Sequence, residues 1–289
     1  YDSSTVVTLT ATADSGYQFS SWSGDLTGSA NPDSITMNAN KSVTATFSQT
    51  SGGGGEVEIA GSWTTGTTHT AESGSNRLLV FTAHAEHNAT GLTLDGVSYG
   101  GKTMTEVIEK SEGSGYVAVT GIYILKEADI ADASGNTFSV TWSTAPDRTP
   151  QYSSVFLTGV NQTTSTGDAQ SAGGTTDTLT TSSLSTSDGD MAILASTCGN
   201  TGTYSTGGGF TEAVELTISS ADGIAGYLSA TGANVTPTAI HSDANRQSLV
   251  GIVVKADSSG SPATQFTLTT NTSGSGSITL DPSGGTYDS

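Results

Sequence analysis

His84, Glu86 and His87 stand together in Ala-His-Ala-Glu-His-Asn. Imidazole and carboxylate groups are ligands for divalent metals. In an extended strand, however, His84 and Glu86 share one face and His87 points to the other. The spacing is also not the helical His-Glu-x-x-His of zinc hydrolases. Three ligands on one ion would need a bulge, so these residues read as solvated histidines at a strand end. Aspartates in turns offer oxygen ligands of the kind calcium takes: Asp14, Asp25, Asp33, Asp281 and Asp288 towards the two ends, and Asp129, Asp132, Asp188, Asp190 and Asp243 between them. No EF-hand loop orders them, and Asp also caps turns. Serines and His241 can be paired on paper as nucleophile and base, but no Gly-x-Ser-x-Gly elbow is present. No carboxylate pair is singled out for glycoside cleavage. The residues predict no enzyme. Trp63, Trp142, Tyr116, Tyr123 and Tyr152 are of the type that stacks on sugar rings, although strand aromatics more often fill a core. Lys41, Lys102, Lys110, Lys126 and Lys255 could supply the amine of a Lys–Asn isopeptide bond, and no motif marks any of them.

The elements that must position these residues are strands. Thr, Val and aromatic residues recur at regular intervals, separated by Gly, Ser, Asn and Asp, which suit pleated strands and turns respectively. The chain has 289 residues, 37 of them glycine, and a formal net charge of −19 from 8 Lys+Arg against 27 Asp+Glu. That charge repels a phosphate backbone and an anionic membrane surface, so neither nucleic acid nor lipid is an expected partner. No apolar run approaches the ~20 residues of a membrane span. The single cysteine, Cys198, excludes an internal disulfide framework. An acidic, thiol-poor, β-rich chain fits an extracellular location at a cell surface.

Tyr-Asp-Ser stands at both 1–3 and 287–289. Written head to tail with that overlap merged, the C-terminal segment runs into the N-terminal one as a single small domain. The segments join through Gly274-Ser-Gly, Pro282-Ser-Gly-Gly-Thr-Tyr287, Val7-Thr-Leu-Thr-Ala11, Gly16-Tyr-Gln-Phe19, Trp22-Ser-Gly-Asp25, Asn31-Pro32, Ile35-Thr-Met37 and Lys41-Ser-Val-Thr-Ala-Thr-Phe47. In that order the string resembles the divergent internalin B-type repeat of bacterial and archaeal surface proteins, circularly permuted so that its first half lies at the C-terminus. The resemblance implies a structural bead with Trp22 at a packing position and no catalytic residues.

Gly/Ser-rich linkers at 49–55 and 258–263 bound a larger region, 56–257. It reads as about ten strands joined by turns, hence a β-sandwich, with Glu127 to Ala133 able to form one helical turn. Asn76-Arg-Leu-Leu-Val, Val97-Ser-Tyr-Gly-Gly, Phe156-Leu-Thr-Gly-Val-Asn-Gln-Thr-Thr164, Gly189-Asp-Met-Ala and Val250-Gly-Ile-Val-Val-Lys255 are similar to jelly-roll, lectin-like modules of bacterial surface proteins. That resemblance implies room for a structural calcium; no cofactor is required.

The expectation is therefore an all-β chain: a large jelly-roll or sandwich over 56–257, and a small β-rich domain split between 1–48 and 264–289. An incomplete β domain exposes strand edges and an open core. Completing it from the next copy, head to tail, generates a filament or a long tandem surface adhesin. The residues expected at that junction are Phe266, Leu268, Ile278, Leu280 and Tyr287 on one side, and Val7, Leu9, Tyr17, Phe19, Trp22, Val43 and Phe47 on the other. The partners are neighbouring copies of the chain. The alternative is a carbohydrate-binding or adhesive module whose partners are surface glycans.

Overall fold

The computed structural model describes residues 4–12, 17–49, 55–257, 265–267 and 286–288. The N-terminal unit holds β1 (Thr5–Leu9), β2 (Tyr17–Gly24), β3 (Asp33–Met37) and β4 (Val43–Gln49). These pair antiparallel as β1 with β3 and β2 with β4, which opposes Val7 to Ile35 and Trp22 to Ala45.

Residues 55–257 form two sandwiches in series. The first uses β5 (Glu58–Thr65), β6 (Leu78–His87), β7 (Leu94–Tyr99), β8 (Lys102–Thr103), β9 (Thr105–Glu112), β10 (Val117–Lys126), α1 (Glu127–Ala131), β11 (Phe138–Trp142) and β12 (Gln151–Thr158). The second uses β13 (Thr166–Gly174), β14 (Thr178–Thr180), β15 (Asp188–Cys198), β16 (Tyr204–Gly207), β17 (Thr211–Ile218), β18 (Ala221–Thr231), β19 (Thr238–His241) and β20 (Gln247–Val254). The five-stranded sheets run β5-β12-β6-β10-β9 and β13-β20-β15-β18-β17. The two orders are the same pattern, with β5 corresponding to β13, β6 to β15, β10 to β18 and β12 to β20. Each sandwich adds a three-stranded sheet, β11-β7-β8 in the first and β14-β19-β16 in the second. Finally, β21 (Gln265–Thr267) pairs antiparallel with β22 (Thr286–Asp288).

The five-stranded sheets pack face to face. β9 lies over β13 and β20, and β5 and β12 lie over β17. Corresponding edges therefore cross over, as in a two-fold dimer written into one chain. Alternation along each strand assigns its side chains to two cores. Leu78, Val80, Ile122, Ile124, Val155 and Leu157 meet Met191, Ile193, Ala195, Val250, Ile252 and Val254 between the sandwiches. The residues in between face their own three-stranded sheet. Leu79, Phe81, Tyr123, Leu125 and Phe156 fill the first sandwich, and Ala192, Leu194, Leu249 and Val253 the second. Strands buried on both faces favour unbroken apolar runs, and β6, β10, β15 and β20 contain them at 78–81, 122–125, 191–195 and 249–254, with polar residues confined to the remaining positions.

The all-β class and sandwich construction expected from the sequence are what these strands form, and α1 falls where one helical turn was expected. The additional strands are of two kinds: the sheet-edge strands β5, β13 and β17, of eight or nine residues, and the short β8, β14, β16 and β19, of two to four, too few to carry a period.

The shared core predicts coupled unfolding. Ile193→Ala removes a fully buried side chain from the second sandwich, at a cost of about 3 kcal/mol. The denaturation midpoint followed by the fluorescence of Trp63 and Trp142, both in the first sandwich, should fall with it. A midpoint unmoved in the tryptophan signal would mean that the sandwiches unfold independently.

Candidate functional site

In the small unit the repeat motif is used to build turns. Trp22 is buried, and its Nε1 donates to the Ala30 carbonyl at 2.8 Å. Its ring lies 4.9 Å from Phe19, which in turn meets Phe47 edge-on at 6.0 Å. Gly24 has φ +94°, and a Cβ there would sit 2.4 Å from the Ser42 carbonyl oxygen, so only glycine fits. Asp25 closes the turn: its N–H donates to Ser42 O at 2.8 Å and its carboxylate accepts from Ser42 N–H at 2.7 Å. That backbone bond, helped by Lys41, holds the Asp25 carboxyl below its ordinary range. Asn31 clamps Ala11 by accepting from its N–H at 2.9 Å and donating to its carbonyl at 2.6 Å.

The apolar face of this unit is half open. Val7, Leu9, Phe19, Ile35, Met37 and Val43 occupy the inward positions of their strands, yet none is buried. Phe47 is 37 % exposed. Among the described side chains of residues 4–47, Trp22 alone reaches burial. Tyr17 opens β2, and Phe266 stands opposite Tyr287 in the β21–β22 pair. Leu268, Ile278 and Leu280 lie outside the described residues.

The seam between the two sandwiches changes character along its length. Beyond the apolar core it becomes a polar network with no water-facing member. Thr82 Oγ1 lies 2.9 Å from His84 Nε2 and 2.6 Å from Ser153 Oγ. His84 Nδ1 reaches the Ser196 carbonyl at 3.1 Å and Thr197 Oγ1 at 3.0 Å, both on the second sandwich. Thr120 ties Thr197 at 2.7 Å to Ser248 at 2.7 Å. Gly223 makes room: a Cβ there would stand 2.8 Å from His84 Nδ1.

Glu86, two residues on, is 2 % exposed. Its carboxylate accepts from Arg246 Nη2 at 2.6 Å and from Ser220 Oγ at 2.9 Å, with Arg148 Nε at 3.9 Å. Arg148 and Arg246 stand just before β12 and β20, corresponding strands of the two sandwiches. Each guanidinium reaches a hairpin of the opposite sandwich. Arg148 donates to Ser220 between β17 and β18, and Arg246 lies over Tyr116 between β9 and β10.

His84 and Glu86 do share a face, and His87 turns away to Asp147 at 2.7 Å. The expectation that these histidines are solvated fails for His84. It is fully buried because its strand face is covered by the second sandwich. His241 is also fully buried, with Nε2 3.6 Å from the Asp222 carboxylate, and no serine hydroxyl bonds it among the described residues. Burial raises the pKa of the Cys198 thiol.

The five aromatic candidates do not assemble into one platform. Tyr123 and Tyr152 are buried, Trp63 and Trp142 pack partly against cores, and Tyr116 is exposed. No group of three or more metal-ligand side chains gathers among the described residues. Asp190 is instead paired with Lys255 at 2.6 Å, Asp132 with Lys102 at 3.1 Å, and Asp25 with Lys41 at 3.6 Å. Lys110 pairs with Glu112 at 3.2 Å, and Lys126 donates to the Gln162 carbonyl at 3.1 Å. No helix among the described residues is long and apolar enough to cross a membrane.

Sequence reasoning missed the Glu86–Arg148–Arg246 group. A usable signal was scarcity. A chain with net charge −19 carries three arginines, and all three neutralise carboxylates, the third being Arg77, bidentate on Glu127.

Residues 1–51 match the family model of the divergent InlB B-repeat domain. No curated protein and no solved structure matches the chain. The match covers the unit whose Trp22, Gly24, Asp25 and Asn31 contacts are described above, and it suggests a module of a bacterial surface protein.

Two outcomes follow for the seam. Burial holds the His84 pKa down to about 4, against 6.5 unperturbed. The unfolded chain then binds more protons than the folded one between pH 6.5 and 4. The contribution of His84 to stability is complete above pH 6.5 and falls by about 3 kcal/mol as pH drops to 4. Urea denaturation should show this slope, and His84→Gln should make it shallower, leaving the part contributed by His69, whose pKa burial also lowers. Glu86→Gln leaves two guanidinium groups without their carboxylate and should cost about 3 kcal/mol at pH 7. A loss below ~0.5 kcal/mol in the same urea assay would mean that the group is a surface pair of little consequence.

Proposed function

We propose that this chain is a structural module of a bacterial surface protein, and that its small β unit is completed head to tail by the segment 264–289 of a neighbouring copy. The observation that carries this reading is the half-open face of β1 to β4. Alternate residues with the right polarity for a core, Val7, Leu9, Phe19, Ile35, Met37 and Val43, stay partly exposed. The repeat-family match at 1–51 supports a surface location. The segment that would close the face contains Phe266, Leu268, Ile278, Leu280 and Tyr287, an apolar pattern of the kind a donor strand supplies. Such a contact is heterologous and does not close on itself, so it propagates as a filament or a long adhesin. The role is mechanical, not enzymatic, and the location extracellular. The two fused sandwiches act as the bead between junctions, held as one body by the core that the five-stranded sheets share.

The test compares the full chain with one ending at residue 263, by light scattering at matched concentrations. The full chain should form open-ended oligomers whose mass rises with concentration, and the shortened chain should stay monomeric. A full chain that is monomeric throughout contradicts the reading. A second outcome concerns Trp22. Trp22→Ala should remove the buried tryptophan of the small unit and abolish oligomers, while leaving the urea midpoint of the sandwiches within ~0.5 kcal/mol. An equal loss in both would place Trp22 in a shared fold instead.

A further inference from the structure

Independently of the junction, the seam between the sandwiches opens at one end into a polar cleft of about 480 Å³, lined by Glu112, Ser114, Tyr116, Thr175, Asn245 and Arg246. Its volume lies within the roughly 300–1,000 Å³ of small-ligand sites. Tyr116 is the exposed large aromatic of the two sandwiches, at 41 %. The Arg246 guanidinium lies 5.4 Å from the centre of that ring. Arg246 is also held in place from behind. Its Nη2 donates both to the buried Glu86 and, at 2.7 Å, to the Gly199 carbonyl. Its Nε is buried with no partner. The backbone at Arg246 has φ +49°, a region that L side chains seldom adopt and that is found where a side chain must be aimed.

The cleft presents one cation, Arg246, to a ligand, and its lining carboxylate Glu112 is neutralised by a neighbour. Glu86 is opposed by two guanidinium groups, Arg246 and Arg148, and Glu112 is opposed by Lys110. Among these five side chains the cations outnumber the carboxylates by one, in a chain whose net charge is −19. The long-range repulsion of that net charge is screened within about 8 Å at physiological salt. Hydroxyl groups of Ser114 and Thr175 and the amide of Asn245 supply donors and acceptors of the kind that sugar hydroxyls need. An exposed aromatic ring with the guanidinium over one face and its other face left for a sugar, beside hydroxyl and amide groups, fits a sugar that carries a carboxylate.

We propose that this cleft binds a uronic-acid residue of an acidic glycan, with Tyr116 stacking on the sugar ring and Arg246 donating to its carboxylate. The aromatic face recognises a pyranose, the guanidinium selects the acid over the neutral sugar, and the β9–β10 hairpin supplies the remaining wall. The site uses residues of both sandwiches, so it exists only because the two are packed together.

The probe is free glucuronate, with methyl glucoside as the neutral control, titrated into the full chain. Binding is read by calorimetry and by amide shifts at Gly113, Gly115 and Asn245. Glucuronate should bind with a dissociation constant of about 1 mM and move those amides, while the glucoside binds about tenfold more weakly. Tyr116→Ala, an exposed position, should weaken glucuronate about fivefold at an unchanged urea midpoint. Arg246→Lys keeps a charge for Glu86 and should bring glucuronate down to the level of the glucoside. No saturable binding by 50 mM, shifts confined to other amides, or equal affinity for the two sugars would each overturn the assignment.

Discussion

Two five-stranded sheets pressed face to face are the constraint on which the rest of the large region depends. A sheet covered on both sides cannot use the alternation of apolar and polar residues that an outer sheet uses, so β6, β10, β15 and β20 are buried along nearly their whole length and carry unbroken apolar runs, with their polar residues hydrogen-bonded at the far end of the seam. Each also supplies two cores at once. Substituting one residue in the middle layer therefore touches a single core, while shifting a strand by one residue exchanges both. Register in this layer is thus strongly specified, and the outer three-stranded sheets follow from it.

The two sandwiches repeat one topology and meet with corresponding edges crossed, the geometry of an isologous dimer. Fusion in one chain lets the two halves diverge. Glu86 is the clearest case: arginines from the segments that lead into the corresponding strands β12 and β20 converge on one carboxylate of the first sandwich. The polar end of the seam adds specificity to an interface whose apolar end supplies the burial energy. A buried carboxylate with matched partners costs little as long as every partner is present, and much when one is removed. The network around His84 obeys the same rule, since its hydroxyl groups bond one another across the seam.

The strand content was legible because Val, Thr, Ile and aromatic residues alternate with turn residues over short spans, as in Leu78–His87 and Val117–Lys126. The duplication was not. The two halves share strand order but little residue identity: Leu-Leu-Val-Phe-Thr-Ala-His-Ala-Glu-His of β6 corresponds to Asp-Gly-Asp-Met-Ala-Ile-Leu-Ala-Ser-Thr-Cys of β15 only once the pairing is known. The burial of His84 was illegible for the same reason, because one strand does not reveal that a second sandwich covers its face. The small unit was more readable. Trp22, Gly24, Asp25 and Asn31 sit in motifs whose geometry is local, and each makes a contact within about twenty residues of itself. The cleft at Tyr116 and Arg246 joins residues 130 positions apart, which no local pattern signals.

The small unit and the large region solve burial in opposite ways. The large region closes its surfaces within one chain, leaving Leu78, Phe81, Ile193 and Leu194 fully buried. The small unit leaves Val7, Ile35 and Val43 half covered beside one buried tryptophan. Strand pairs of this length are marginal in water unless a further layer covers them. Hydrogen exchange at the amides of β1 and β3, measured in the full chain across a hundredfold range of concentration, tests the account most directly. Completion by a neighbouring copy predicts protection that rises with concentration, while the amides of β6 and β15 stay protected throughout. Protection of β1 and β3 that is the same at every concentration would contradict it.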